Sequence, residues 1–120
     1  MNRLPALFFA LFASLAMAAD QKEPFTPRPN GCVTISASNV NAATALASPG
    51  AQNIILYNVG TATVFVEFCT SSTCTAVVAS SFPSASGHKE ALGLPANTSH
   101  VATITSSGTA TVYACVGVGT

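Results

Sequence analysis

Few side chains in this 120-residue sequence belong to the types that perform catalysis. His88 and Glu90 stand two residues apart, where strand alternation would place both side chains on one face. A serine hydrolase also needs a strained turn that presents its nucleophile, and no such motif accompanies this pair. We therefore interpret the pair as part of a polar turn after Gly87, and His100 as the start of a strand.

The acidic residues do not form a recognisable catalytic pair either. Glycoside hydrolysis requires two facing carboxylates, and Glu67 and Glu90 are the only acidic residues in the region predicted to fold. Gly60 and Gly108 lie between predicted strands, whereas a phosphate-binding glycine loop joins a strand to a helix. We expect no catalytic residue and no cofactor, and hence a protein that is not an enzyme.

The four cysteines, Cys32, Cys69, Cys74 and Cys115, have a different use. An even number of cysteines in a short exported chain predicts disulfides. Zinc is the competing ligand, but Cys69-x4-Cys74 has no matching second pair and the two histidines lie far from any CxxC motif. We predict a Cys69–Cys74 bridge that closes a short turn and a Cys32–Cys115 bridge that joins the first strand to the last. Other pairings stay open.

The first 18 residues have the order of a secretory signal. Arg3 precedes an apolar run, Leu4–Leu15, and Ala16-Met17-Ala18 supplies the small residues of a cleavage site. This order predicts export to the periplasm or the extracellular space. The alternative is a retained hydrophobic arm that inserts into a membrane or packs inside an assembly, and only then is a membrane expected as a partner.

Charge and composition restrict the classes of function that remain. The chain has four basic and four acidic residues and no formal net charge, so it lacks the basic face of a nucleic-acid-binding protein. Residues 19–31 contain three prolines and are predicted to be a linker or arm. Residues 32–120 are predicted to form a single domain.

No helical period is present after Cys32, and short β-branched and aromatic runs alternate with turn residues. This pattern predicts an all-β fold, a small antiparallel β-sandwich resembling a jelly roll. A short helix is the alternative for residues 39–47. The predicted strands are Cys32–Ser38, Ala43–Ala47, Asn53–Asn58, Thr63–Thr70, Thr75–Ala79, Lys89–Leu94, His100–Thr105 and Thr111–Val118.

One segment of the sequence is repeated. Asn58–Phe65 and Ser106–Tyr113 both contain the string GTATV after an apolar run. We interpret them as one hairpin used twice, with Gly60 and Gly108 at the turn position of positive φ. Alternation in the strands after these turns predicts two sets of core residues, Val64, Val66 and Phe68, and Val112, Ala114 and Val116. It leaves Phe65, Glu67 and Tyr113 facing outward.

Four aromatic residues are candidates for an interface. Large aromatic rings often anchor contacts between proteins. We predict an interface patch formed by Tyr57, Phe65, Phe82 and Tyr113. The alternative is that these rings belong to the core.

Three strings in this sequence resemble a family of small phage and prophage proteins. They are Asn53–Phe68, Lys89–Ile104 and Gly108–Tyr113. The resemblance extends over residues 32–118. It implies a compact β-sandwich that serves as a capsid decoration or accessory virion protein. The secretory-type start and the four cysteines depart from the family pattern, and they favour an oxidising location at the cell envelope or in a virion with a membrane.

Two functions are consistent with these observations. The first is a non-catalytic structural or interaction protein that binds a protein partner, or other copies of itself, in a larger assembly. The second is a secreted or periplasmic module that recognises a glycan or peptide through its loops.

The intact mass of the non-reduced protein from its native source tests export directly. We expect a mass that lacks residues 1–18 and about four hydrogens, because export removes the signal and oxidises both cysteine pairs. A full-length mass with free thiols would contradict the export prediction and make the first residues a retained arm.

Overall fold

A computed structural model of the chain describes residues 24–48 and 51–119. The predicted signal segment, residues 1–18, lies outside the described residues. The strands are β1 (Thr26–Ala37), β2 (Ala42–Ala45), β3 (Asn53–Asn58), β4 (Val64–Cys69), β5 (Phe82–Ser84), β6 (Lys89–Gly93), β7 (His100–Thr105) and β8 (Ala110–Val118).

The strands form two antiparallel four-stranded sheets. Sheet A has the order β1-β8-β3-β6, and sheet B has the order β2-β7-β4-β5. Every connection except β4–β5 therefore crosses from one sheet to the other. This arrangement is that of an eight-stranded jelly roll, so the predicted all-β sandwich is confirmed.

Most strand predictions agree with the structure, and residues 42–45 form a strand rather than the alternative helix. The predicted strand Thr75–Ala79 is wrong, and the three-residue β5 after it was missed. The backbone N–H groups of Ala76 and Val77 are bonded to side chains, those of Asn41 and Ser81, instead of a neighbouring strand. A β-branched run is therefore not sufficient to form a strand where no ladder partner lies alongside.

The first strand begins earlier than predicted, at Thr26 within the Pro-rich segment. Pro27 pairs with Gly117, and the register is irregular between Pro27 and Cys32. Asn30 takes a φ of 54° within this irregular stretch, a conformation that asparagine tolerates better than most residues. Proline is compatible with this strand because β1 lies at the edge of the sheet, where a missing N–H group breaks no ladder.

The core lies between the two sheets and follows the predicted alternation. Both predicted sets face it: Val64, Val66, Val112, Ala114 and Val116 are buried, and Phe68 packs against them. Ile54 and Leu56 of β3 are also fully buried. The residues predicted to face outward, Phe65, Glu67 and Tyr113, are half-buried or exposed.

The repeated segments are not hairpins, and that interpretation is wrong. The first repeat joins β3 in sheet A to β4 in sheet B, and the second joins β7 in sheet B to β8 in sheet A. Each is an arch that carries the chain across the sandwich; we call residues 59–63 the first arch and residues 106–109 the second arch. The arches lie together because β3 pairs with β8 and β4 with β7.

The two turn glycines serve different purposes. Gly108 has a φ of 78°, as predicted. Gly60 does not have a positive φ, so the prediction for it is wrong. A Cβ atom at Gly60 would lie 2.5 Å from the Cβ atom of Ala110. Gly60 is therefore needed because the first arch packs directly against the start of β8.

Asn58 holds the first arch from inside the protein. Its side chain is fully buried, and Nδ2 donates hydrogen bonds of 2.9 Å to the carbonyl oxygens of Ala62 and Ser84. Its Oδ1 accepts a 2.9 Å hydrogen bond from the N–H group of Gly60. One side chain thus satisfies three backbone groups and connects the arch to β5.

Replacing Asn58 with alanine tests this role. The change leaves two carbonyl groups and one N–H group without their partner in a buried site, so we expect the free energy of unfolding to fall by about 3 kcal/mol or more. Chemical denaturation measures the loss. The control is Asn39→Ala at an exposed position, which should change the free energy by less than about 0.5 kcal/mol. Equal effects of the two substitutions would contradict the assigned role.

Candidate functional site

The outer face of sheet B is covered by the loop between β4 and β5, residues 70–81. Asn41, just before β2, donates through Nδ2 to the carbonyl of Cys74 at 3.3 Å and accepts from the N–H group of Ala76 at 2.7 Å. Because β7 lies between β2 and β4, the loop must cross the outer side of β7 to reach Asn41. Ala102, an outward-facing residue of β7, is accordingly fully buried.

Three further interactions fix this loop. Ser81 Oγ donates to Glu67 Oε1 at 2.9 Å and accepts from the N–H group of Val77 at 2.9 Å. The Cys69–Cys74 disulfide closes the start of the loop. The part of the outer face of sheet B over β7 is therefore occupied by the protein's own chain.

The outer face of sheet A presents aromatic side chains to solvent. Tyr57 of β3 and Tyr113 of β8 are 39% and 41% exposed, and they are directly opposite each other in the ladder. Tyr57 is also opposite Lys89 of β6, and Tyr113 is opposite Thr34 of β1. A row of four outward side chains thus crosses the whole sheet, with the two tyrosines at its centre.

The next row on this face contains Ile55 and the Cys32–Cys115 disulfide. Ile55 is opposite Cys115, which is opposite Cys32. Together with residues at the start of β1, these rows enclose an open groove of about 430 Å³. We call it the sheet A groove; it is lined by Phe25, Pro27, Cys32, Ile55, Tyr57, Lys89, Tyr113 and Cys115.

Phe25 reaches the groove because of a glycine in β8. A Cβ atom at Gly117 would lie 2.7 Å from Cζ of the Phe25 ring. The absence of a side chain at this position lets the ring lie close to the sheet. Phe25 thereby extends the apolar surface beyond the two tyrosines.

Among the described residues that line the groove, Lys89 alone carries a formal charge. Its Nζ atom lies 5.2 Å from the centre of the Tyr57 ring, a cation–π distance. Such a contact stabilises an exposed site by about 0.5–1 kcal/mol. It holds a positive charge beside an aromatic surface, and it leaves the N–H groups of the ammonium available to a ligand.

Both predicted disulfides are present, and the chain has no free cysteine. Cys32 and Cys115 are opposite each other on β1 and β8, with Cα atoms 4.0 Å apart. Two disulfides in so short a chain indicate an oxidising environment of the exported type.

The residues considered for catalysis are dispersed. Glu67 is exposed on the outer side of sheet B, whereas Glu90 belongs to sheet A, so the two carboxylates do not face each other. His88 is exposed, and His100 Nδ1 lies 2.7 Å from Ser99 Oγ, a neighbour in sequence.

Across residues 24–48 and 51–119, no group of three or more metal-ligating side chains is found. In that part of the chain no helix has the length and hydrophobicity to cross a membrane.

The four predicted interface aromatics do not form one patch. Tyr57 and Tyr113 lie together on sheet A, whereas Phe65 and Phe82 belong to β4 and β5 of sheet B. Sequence reasoning missed Ile55, although alternation along β3 places it on the same face as Tyr57. It also missed Phe25 and Lys89, for which the sequence carries no signal.

Comparison with known proteins identifies no family. No family model and no curated protein matches the chain. Among solved structures, the crystal structure of PirA is similar over 76% of this chain and 96% of that chain, with 10% sequence identity and a TM-score of 0.47. A cupin-2 domain protein from Shewanella frigidimarina is similar over 89% of this chain and 92% of that chain, with 10% identity and a TM-score of 0.37.

The two disulfides should differ in their contribution to stability. Cys32–Cys115 joins residues 83 apart in sequence, and Cys69–Cys74 joins residues 5 apart. Loop-closure entropy predicts that the free energy of unfolding falls by about 4.5 kcal/mol when Cys32 and Cys115 are replaced by serine. For Cys69 and Cys74 the predicted fall is about 2 kcal/mol. Denaturant unfolding of the two double variants measures both values. A larger loss for the Cys69–Cys74 pair would contradict the prediction.

Proposed function

We propose that this chain is a non-catalytic structural or interaction protein, and that it binds a protein partner through the sheet A groove. The observation that carries the proposal is the pair of exposed tyrosines, Tyr57 and Tyr113, beside an apolar groove on the outer face of sheet A. On the opposite face of the sandwich, the loop of residues 70–81 lies over β7, so the two faces are not equivalent.

The groove has the chemistry of a protein contact. Tyrosine is enriched at interfaces because its ring covers a large apolar area while its hydroxyl group still finds hydrogen-bond partners. Burial of two adjacent rings at the centre of a contact is typical of an energetic hot spot. Phe25 and Ile55 supply further apolar surface around them.

The charge of the groove specifies the partner further. Lys89 contributes one positive charge, and none of the lining residues in the described part of the chain is acidic. A complementary surface therefore carries an acidic side chain next to an apolar or aromatic segment. The partner we propose is a protein surface of this chemistry.

The place of action that we propose rests on the disulfides and the sequence resemblance. The disulfides favour an oxidising location, in the periplasm, outside the cell or on a virion surface. The resemblance to small phage and prophage proteins favours a virion accessory or capsid-decoration role over an isolated binding module. In that setting the repeated subunits of a larger assembly present the partner surface many times.

Co-sedimentation with virions and with envelope fractions from the source organism tests the proposal. We expect Tyr113→Ser and Lys89→Glu each to weaken binding at least about tenfold, because the first removes a central ring and the second reverses the charge. The matched control is Val78→Ser on the covered sheet B side, where Val78 is 38% exposed, and it should bind as the unchanged protein does.

Thermal unfolding of each variant confirms that the fold is intact. Binding that is unaffected by both groove substitutions would overturn the proposal. Binding to a purified glycan that is lost in Tyr113→Ser, without binding to virions or envelope proteins, would also overturn it in favour of a glycan-binding module.

A further inference from the structure

We propose that the outer edge of β1 pairs antiparallel with β1 of a second copy of this chain. The two A sheets would then form one continuous eight-stranded sheet. This inference concerns the edge of the sheet and does not depend on the partner proposed for the groove.

The position of β1 leaves one of its edges without a neighbour in the described part of the chain. It is the first strand in the order of sheet A and pairs there only with β8. With 12 residues it is also the longest strand. A long unpaired edge is a template for another strand unless the sequence protects it.

The protective features of β1 are confined to its first half. Pro27 and Pro29 and the irregular register precede Cys32. From Cys32 to Ala37 the strand has no proline, no charge and no irregularity in its pairing with β8. The opposite edge of the sheet, β6, is only five residues long and carries Lys89 and Glu90. Of the two edges of sheet A, the second half of β1 is therefore the one open to pairing.

The hydrogen bonds of β8 show which groups of β1 point outward. The N–H group of Val59 donates to the carbonyl of Thr111 at 3.0 Å, so Thr111 directs its backbone groups toward β3. Because successive residues of a strand point to opposite sides, Val112 and Ala114 direct theirs toward β1. Odd-numbered residues of β8 thus bond to β3, and even-numbered residues bond to β1.

The register between β1 and β8 transfers this alternation to β1. Val112 is opposite Ile35, and Ala114 is opposite Val33, so these two residues of β1 bond to β8. Cys32, Thr34 and Ser36 must then direct their N–H and C=O groups away from β8, toward the free edge. The Cα separation of 4.0 Å between Cys32 and Cys115 agrees, because closely spaced pairs are the ones that exchange no backbone hydrogen bonds.

The outward-directed backbone groups of Cys32, Thr34 and Ser36 can pair with the same three residues of a second copy. With a twofold axis at Thr34, Thr34 is opposite Thr34 of the second copy and Cys32 is opposite Ser36. Three such pairs exchange about six backbone hydrogen bonds. No like charges meet, and the central Thr–Thr pair is a favourable cross-strand contact. The same sequence therefore satisfies both sides of the interface.

Pairing of two copies would also affect how the sheet A groove binds a partner. The Cys32–Cys115 disulfide belongs both to the groove and to the strand beside the free edge. Pairing through β1 would place two grooves on the same face of one sheet. A lattice of repeated partner subunits could then be bound at two points, and this raises the overall affinity.

Thr34→Pro tests the dimer without removing a bond of the fold. Its N–H group points to the free edge, so proline there removes a donor from the interface and none from the β1–β8 ladder. Light scattering on the full oxidised chain should give a dimer mass for the unchanged protein and a monomer mass for Thr34→Pro at the same concentration. The control Thr34→Val keeps the N–H group and should remain a dimer.

Amide hydrogen exchange supplies an independent readout. In the dimer, the amides of Cys32 and Ser36 should be protected along with those of Val33 and Ile35. In a folded Thr34→Pro monomer, Cys32 and Ser36 should lose protection while Val33 and Ile35 keep it. A monomeric unchanged protein would overturn the proposal, and so would protection of Cys32 and Ser36 in a monomer, because another segment of the same chain would then cover the edge.

Discussion

The jelly roll depends on the close contact between the two arches. Each arch carries the chain from one sheet to the other, and the pairing of β3 with β8 and of β4 with β7 brings them together. The contact has no space for a side chain at Gly60, which lies against Ala110. A buried Asn58 supplies the hydrogen bonds that a crossing segment cannot obtain from a ladder. If this contact were lost, the backbone groups that Asn58 satisfies would be left without partners.

The arches also determine which surfaces are available for function. Because consecutive strands alternate between the sheets, the two faces receive different connections. The one connection that stays within a sheet, between β4 and β5, folds over the outer face of sheet B and is held there by Asn41 and Ser81. The outer face of sheet A keeps its tyrosines exposed. The binding function that we propose for this face therefore rests on topology as much as on the residues themselves.

The outer face of sheet A, the binding face that we propose, combines rigidity with exposed apolar area. Tyr57 and Tyr113 extend from neighbouring central strands, so ladder hydrogen bonds fix their backbones on both sides. The disulfide between Cys32 and Cys115 fixes β1 beside them. Rigid aromatic side chains lose little conformational entropy when they are buried at an interface. The sheet that carries the two tyrosines also contains the free edge of β1. The two proposed interactions, binding of a partner and pairing of two copies, are therefore compatible with each other.

The sequence by itself determined the all-β class, most strand positions, the alternation that fills the core and the use of its four cysteines in disulfides, while their pairing stayed open. These features depend on local side-chain periodicity and on cysteine content, which are read directly from the chain. Tertiary structure alone decided that the repeated GTATV segments are arches, that Gly60 is required by packing rather than by φ, and that residues 75–79 form a cover instead of a strand. It also decided that Tyr57 and Tyr113 meet while Phe65 and Phe82 lie elsewhere. The physical reason is that a strand's period fixes which side chains share a face, whereas pairing between distant strands decides which faces meet.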